Sequence, residues 1–275
     1  MATTTIRGVR LPIGDVVPAL GQGTWHLADD PARRESAIAA LRTGIDLGMT
    51  LIDTAEVYGD GAAERLVGEA IHGRLRTGLL LVSKVWPTHA SEAGTIAACH
   101  ASLRRLATDY LDLYLLHWPS HFPLEETIAG FDWLRHAGDI RGWGVSNFDV
   151  ADLEQLFATP GGAEALIDQV PYNLARRGIE LDLMPWCRAH GVPLMGYSPI
   201  QRGRLLADAA LQEVAARHGV TPAQVALAWV LRHDDVVAIP EAGNPEHVRD
   251  NRAALDLQLT AADLADLDQA FPPPS

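Results

Sequence analysis

The chain has 275 residues, of which 48% are hydrophobic and 21% charged, and its formal net charge is −13. That length suits one α/β barrel of about 250 residues, and the acidic excess argues against a nucleic-acid partner, because such affinity comes from Lys and Arg at phosphates. No apolar run approaches the roughly 20 residues that span a bilayer, and the first residues lack the apolar segment of a signal peptide, so a cytoplasmic protein without membrane contact is expected.

The predicted elements begin with a β-hairpin at residues 5–9 and 13–17, which is expected to cover the amino-terminal end of a barrel. Eight strands are predicted at residues 19–23, 50–53, 79–84, 110–117, 140–146, 166–170, 192–197 and 236–239. Helices are predicted at 33–47, 63–71, 92–106, 124–136, 150–157, 180–190, 206–218, 222–231, 245–254 and 261–271.

Strands that alternate with helices in this way predict an α/β fold, a closed (β/α)8 TIM barrel, with residues 1–275 as a single domain. The two helices between the seventh and eighth strands indicate one or two extra helices near the carboxyl end. An open doubly wound sheet would require Gly-x-Gly-x-x-Gly after the first strand. The segment that starts at Gly21 and Gly23 has no third glycine.

Chemically active side chains lie at or just after the ends of three neighbouring strands. Asp53, Lys84 and His117 follow one another at intervals of 31 and 33 residues, and Tyr58 comes five positions after Asp53. Because a barrel gathers the carboxyl ends of its strands on one face, we expect the four side chains in one pocket.

This set can protonate a carbonyl oxygen. Tyr58 is the candidate acid, and the Lys84 cation is expected to favour its phenolate and so lower its pKa. Asp53 is expected to pair with Lys84 and keep it charged, while His117 holds the substrate oxygen in line.

No metal is predicted. His117 and His121 could suggest a ligand pair, but Pro119 lies between them and breaks the helical i, i+4 placement. Cys99 and Cys187 have no metal-ligand spacing and are expected to be free thiols.

Longer motifs carry a resemblance to a known family. Residues 53–59, 82–84, 115–119 and 144–148 are similar to the signature segments of the aldo-keto reductases, in the same order and spacing from about Gly21 to Asn251. Residues 83–86 and the short tail resemble the bacterial branch with methylglyoxal reductase activity. The resemblance implies metal-independent reduction of aldehydes and ketones to alcohols by hydride transfer from NAD(P)H.

The resemblance also implies cofactor contacts. Ser146, Asn147 and Gln169 correspond to ligands of the nicotinamide carboxamide, and Tyr197 to the ring on which nicotinamide stacks. Further cofactor contacts are implied for Gly23, Thr24, Trp25, Ser198, Ile200, Ile239, Glu241, His247, Asp250 and Asn251. Aromatic residues just beyond strand ends predict the substrate pocket: Trp25, Trp86, Trp118 and Phe122.

One departure from the family pattern concerns the cofactor. Glu241 and His247 stand where the family ordinarily has the Lys and Arg that hold the 2′-phosphate of NADPH. The family pattern favours NADPH slightly, while a carboxylate at this position predicts that NADH is accepted as well.

Two other functions compete with a monomeric reductase of small aldehydes or ketones. One is a catalytically idle barrel that binds nicotinamide nucleotide and signals through a partner. The other is a metal-dependent hydrolase or isomerase, which a chelator would inactivate. Because all four catalytic positions are filled, the sequence favours the reductase.

Overall fold

A computed structural model describes residues 6–74 and 76–274 of the chain. Its strands are β1 Gly8–Arg10, β2 Val16–Pro18, β3 Gln22–Gly23, β4 Leu51–Asp53, β5 Leu80–Val85, β6 Leu111–Leu116, β7 Ile140–Ser146, β8 Asp168–Pro171, β9 Leu194–Tyr197 and β10 Val236–Ile239. Its α-helices are α1 Arg34–Asp46, α2 Ala62–Ile71, α3 Glu92–Leu106, α4 Leu124–Ala137, α5 Val150–Ala158, α6 Leu183–His190, α7 Ala209–His218, α8 Pro222–Val230, α9 Pro245–Ala253 and α10 Ala261–Ala270.

The eight strands from β3 to β10 are parallel and hydrogen-bonded in chain order. Backbone bonds then join the two ends of the sheet: Gly21 N–H donates to the Ala238 carbonyl at 2.9 Å and Gly23 N–H to the Pro240 carbonyl at 3.1 Å. Glycine is needed here, because a Cβ on Gly23 would lie 2.8 Å from the Ile239 carbonyl oxygen. The predicted (β/α)8 barrel is confirmed.

Long apolar runs make these strands. All six residues of β6 are buried, as expected for a parallel strand covered on both faces. Helices begin at side-chain caps, such as Ser91 before α3 and the Thr221–Gln224 capping box before α8. Because these signals are local, the predicted bounds of the barrel strands and α-helices differ from the observed ones by at most three residues.

The amino-terminal hairpin pairs Val9 with Val17 across β1 and β2, and both side chains are buried. It lies at the amino-terminal end of the barrel, where it shares a groove with Thr50 and Leu80 at the starts of their strands. Its strands are displaced from the predicted ranges because the turn spans residues 11–15, closed by Leu11 N–H on the Asp15 carbonyl at 2.8 Å. Thr5, the predicted start, lies outside the described residues.

Two further expectations concern the whole chain. Cys99 and Cys187 are free and buried, as predicted. In the described ranges, none of the helices has the length and apolar character that crossing a membrane requires.

Candidate active site

Asp53, Tyr58 and Lys84 meet at the carboxyl ends of β4 and β5. The Lys84 ammonium donates to Asp53 Oδ2 at 2.8 Å, to the Thr54 carbonyl at 2.8 Å and to the Tyr58 hydroxyl at 3.3 Å. Three acceptors match the three N–H donors of a lysine. The ammonium is therefore fixed in direction, with one N–H aimed at the phenol oxygen.

Lys84 and Asp53 form a buried ion pair, with side-chain exposures of 0% and 4%. Burial lowers the pKa of Lys84, and the charge of Asp53 opposes that shift. Asp53 is itself held from the other side by Gln169 Nε2, which donates to Oδ1 at 2.7 Å. A buried ion pair is stable only when its remaining lone pairs and protons have partners, and these contacts provide them.

The pKa of Tyr58 departs from the sequence expectation. Burial, then the negative charge of Asp53, raise this pKa well above its usual value of 10.0. The expected lowering by Lys84 is therefore wrong in sign, because the loss of solvent around the phenol outweighs one cation that is already neutralised by a carboxylate. Tyr58 is a protonated phenol in the neutral pH range, and its proton is available for donation.

His117 stands beside this cluster at the end of β6. Burial, reinforced by the Lys84 charge, lowers the pKa of His117 to about 2, so its imidazole is neutral. The ring packs edge-on against Trp86, with centroids 5.2 Å apart, and against Tyr58 at 5.7 Å. Its Nδ1 atom is buried without a hydrogen-bond partner among the described residues.

A cavity of about 550 Å³ opens above these side chains. One wall carries Ser146, Asn147 and Gln169. Asn147 takes a left-handed φ of 62°, a conformation that asparagine tolerates better than most residues. Its amide donates to the His117 carbonyl at 3.0 Å, and its Oδ1 accepts from the Tyr197 hydroxyl at 2.9 Å.

This wall fits a nicotinamide. A carboxamide needs both a donor and an acceptor, and the side-chain oxygen of Gln169 has no hydrogen-bond donor among the described residues. The half-buried ring of Tyr197 lines the same cavity and is held in place by its hydroxyl bond to Asn147. An aromatic face beside amide groups suits stacking of the pyridine ring with its carboxamide bound at the edge.

The rim of the cavity is aromatic. Trp25 and Trp118 are 42% and 45% exposed, and Trp86 lies half-buried between the rim and His117. Phe122, predicted with them, does not line the cavity; its ring packs on His121, with centroids 4.3 Å apart.

Glu241 also lines the cavity, close to Trp25 in the chain fold, because it accepts from the backbone N–H of the neighbouring His26 at 3.0 Å. Asp250 and Asn251, predicted as cofactor contacts, do not line the cavity. Asp250 instead accepts from Thr221 at 3.2 Å and Gln224 at 3.1 Å, which joins α9 to the start of α8.

The structure thus brings most predicted site residues to one cavity. Those that line it are Gly23, Thr24, Trp25, Asp53, Tyr58, Trp86, His117, Trp118, Ser146, Asn147, Gln169, Tyr197, Ser198, Ile200, Ile239, Glu241 and His247. Lys84 lies beneath Tyr58. Sequence reasoning missed His26, Val57, Pro199, Arg202 and Ala242 as lining residues. Most of them adjoin a predicted residue in the chain, whereas no motif or spacing pointed to Arg202.

Across residues 6–74 and 76–274, no group of three His, Cys, Asp or Glu side chains is arranged to hold a metal ion.

Known proteins of one family are similar to this chain over nearly its whole length. The model of the aldo/keto reductase family matches residues 19–271. Methylglyoxal reductase YeaE of Escherichia coli K12 is 53% identical over 267 residues, 95% of this chain and 94% of that protein. Glyoxal reductase of Bacillus subtilis is 34% identical over 270 residues, 98% of this chain and 94% of its own length.

A crystal structure of an aldo/keto reductase from Klebsiella pneumoniae, in complex with NADP and acetate, superposes with a TM-score of 0.95. It is 49% identical, and the match covers 98% of this chain and 97% of that one.

Proposed function

The chain belongs to the aldo/keto reductase family, and from that premise we propose that it reduces small aldehydes and ketones with Tyr58 as the general acid. Carbonyl reduction with a nicotinamide cofactor is the reaction of such a reductase. The observation that carries the residue assignment is the contact of the Lys84 ammonium with the Tyr58 hydroxyl at 3.3 Å, at the base of a cavity that also contains neutral His117.

The cofactor and the protein supply different parts of the reaction. A reduced nicotinamide, when bound, supplies the hydride to the carbonyl carbon. The carbonyl oxygen then becomes an alkoxide unless it is protonated, and an alkoxide is a much stronger base than a phenolate. The Tyr58 hydroxyl donates that proton despite its raised pKa, and the Lys84 N–H stabilises the phenolate that remains.

His117 positions the substrate in this scheme. A neutral imidazole has one N–H donor, and it can hold the carbonyl oxygen next to Tyr58 without competing as an acid. The edge-on packing of Trp86 against His117 keeps the ring in place.

The proposed substrates are small reactive aldehydes such as methylglyoxal. Support comes from relatives named as methylglyoxal and glyoxal reductases and from the open aromatic rim. The test is oxidation of NADPH and NADH by the purified protein with methylglyoxal and with 4-nitrobenzaldehyde. We expect multiple turnovers. Quenching of tryptophan fluorescence by either nucleotide, without turnover of any carbonyl compound, would support the idle nucleotide-binding barrel instead.

Glu241 shapes the proposed choice of cofactor. A carboxylate repels a 2′-phosphate but accepts hydrogen bonds from a ribose 2′-hydroxyl. Glu241 is exposed on the cavity rim, with His26 Nδ1 at 3.7 Å from its carboxylate. We therefore propose that both NADPH and NADH are used, with a slight preference for NADPH as in the NADP-bound relative.

Glu241→Lys is expected to shift this preference towards NADPH by about 10- to 100-fold, since it replaces a repulsive charge near the 2′-phosphate with an attractive one. Dissociation constants of both nucleotides, from quenching of tryptophan fluorescence, give the ratio independently of turnover. Glu241→Gln is the matched control that removes only the repulsion, and a smaller shift is expected. An unchanged ratio in Glu241→Lys, or a wild-type NADPH/NADH ratio of kcat/KM above about 10³, would contradict this role.

A further inference from the structure

The end of β5 is held by a side chain that the proposed chemistry leaves unused, Glu56. The pairing of β4 with β5 ends at Asp53 opposite Val82, whereas β5 itself continues to Val85. The backbone N–H of Trp86, the next residue, donates to Glu56 Oε1 at 2.6 Å. Because a backbone N–H away from water needs an acceptor, the carboxylate supplies what a longer β4 would have supplied.

Glu56 contacts both ends of the turn that follows. The short helical turn Pro87–His89 comes directly after Trp86, and His89 Nδ1 lies 3.0 Å from the same oxygen of Glu56, Oε1. The side chain of Glu56 is 10% exposed and that of His89 is 54% exposed. Hydrogen bonds to a charged acceptor are strong, and they are stronger where solvent is excluded. The more enclosed bond, from the Trp86 N–H, is therefore the one that fixes the turn.

The turn brings an aromatic ring against His117. Trp86 lines the cavity, and its ring meets the imidazole edge-on, with centroids 5.2 Å apart and an interplanar angle of 87°. The turn is also bonded to the loop after β6, where Ser120 Oγ donates to the Pro87 carbonyl at 2.9 Å. Glu56 and Ser120 thus join the turn to the two loops that carry the proposed acid and the proposed ligand of the carbonyl oxygen.

We propose that Glu56 is a positioning residue that holds the Trp86 ring against His117. The imidazole then stays oriented so that the substrate oxygen lies beside Tyr58. Glu56 does not line the cavity, so it acts through Trp86 and not on the substrate. The inference rests on the proposed function and adds a residue to it. This role requires an acceptor oxygen at the reach of a glutamate side chain, and it does not require a negative charge.

Two substitutions separate reach from charge. Glu56→Gln keeps an acceptor oxygen at the same reach, whereas Glu56→Asp keeps the charge but is one methylene too short for the Trp86 N–H. With methylglyoxal and saturating NADPH, we expect Glu56→Asp to lower kcat/KM by about 10- to 100-fold, the cost of a misplacement of about 1 Å. Glu56→Gln should stay within about threefold of the wild type. The dissociation constant of NADPH should change in neither variant, because no proposed cofactor contact involves Glu56 or Trp86.

A second comparison tests whether Glu56 acts through the Trp86 ring. In a Trp86→Ala background there is no ring to position, so Glu56→Asp should then cost less than about threefold in kcat/KM. A purely structural role of Glu56 would cost the same factor in both backgrounds. His89→Ala is the matched control, because it removes only the exposed partner of Glu56, and it should leave kcat/KM unchanged.

Wild-type kcat/KM in Glu56→Asp would overturn the positioning role. Losses of equal size in Glu56→Gln and Glu56→Asp, or equal costs with and without the Trp86 ring, would overturn it as well. Absence of turnover of methylglyoxal by the wild-type protein would instead contradict the proposed function itself.

Discussion

Tyr58→Phe is expected to lower kcat by about two to four orders of magnitude, because it removes the proposed proton donor and leaves only solvent to quench the alkoxide. The fold should survive the change. The ring contacts with Trp25 and His117 do not involve the hydroxyl, and Lys84 keeps its bonds to Asp53 and the Thr54 carbonyl. Steady-state rates with methylglyoxal, together with nucleotide affinity from tryptophan fluorescence, give the comparison.

Tyr110→Phe is the matched control for this variant. Tyr110 precedes β6 at the opposite end of the barrel, with its ring between the guanidinium groups of Arg76 at 3.9 Å and Arg141 at 4.5 Å. Loss of its hydroxyl should leave kcat unchanged. If Tyr58→Phe turned over as fast as the wild type with unaltered cofactor affinity, Tyr58 would have no role as an acid.

The proposed acid role of Tyr58 predicts how kcat depends on pH. The raised pKa of Tyr58 and the lowered pKa of His117 keep both groups in one protonation state across the neutral range. Changes in kcat there must then come from other groups, and Tyr58→Phe should lower the rate by a similar factor at each pH.

The barrel and the four proposed catalytic residues were accessible to sequence reasoning for a physical reason. A parallel strand is a short apolar run, and Asp53, Lys84 and His117 mark where three such runs end. The fold alone then places those ends on one face. Closure of the barrel at Gly23 adds the cofactor side of the cavity to the same face.

The features that the sequence does not predict depend on side-chain burial and on irregular backbone conformation. The sign of the Tyr58 pKa shift follows from how much solvent the folded chain removes. Arg202 reaches the cavity through two successive positive φ values that no periodic pattern signals. Asp250 and Asn251 follow a family motif in the chain, yet α9 directs Asp250 to Thr221 and Gln224.

Asp168 is a second case in which burial decides the chemistry. It lies on β8 next to Gln169, its side chain is fully buried, and no side chain among the described residues donates a hydrogen bond to either carboxyl oxygen. Burial, with a smaller contribution from the charge of Asp152, raises its pKa well above 3.8, and the backbone N–H of Phe148 opposes the shift only in part. The folded chain therefore favours the protonated form of Asp168 more strongly than the unfolded chain does.

The raised pKa of Asp168 makes the free energy of unfolding depend on pH in a defined direction. A group whose pKa is raised in the folded state makes its full contribution to folding stability below its pKa in the unfolded state. That contribution is lost as pH rises towards the pKa of the folded state. Between pH 4 and 7 the loss amounts to at most about 4 kcal/mol, at 1.4 kcal/mol per pH unit from an unfolded pKa near 3.9. Asp168 should thus lower the free energy of unfolding at neutral pH relative to a neutral residue of the same shape.

Asp168→Asn is accordingly expected to stabilise the protein at pH 7 by one to several kcal/mol, up to that limit of about 4 kcal/mol, with the gain shrinking towards zero near pH 4. Urea unfolding followed by tryptophan fluorescence at several pH values measures the difference. Glu154→Gln removes one carboxylate from the exposed face of α5 and should change stability by less than about 0.5 kcal/mol at every pH. If Asp168→Asn gave no gain at pH 7 and the same pH slope as the wild type, the carboxyl of Asp168 would have to be ionised and compensated in the folded chain, contrary to its surroundings in β8.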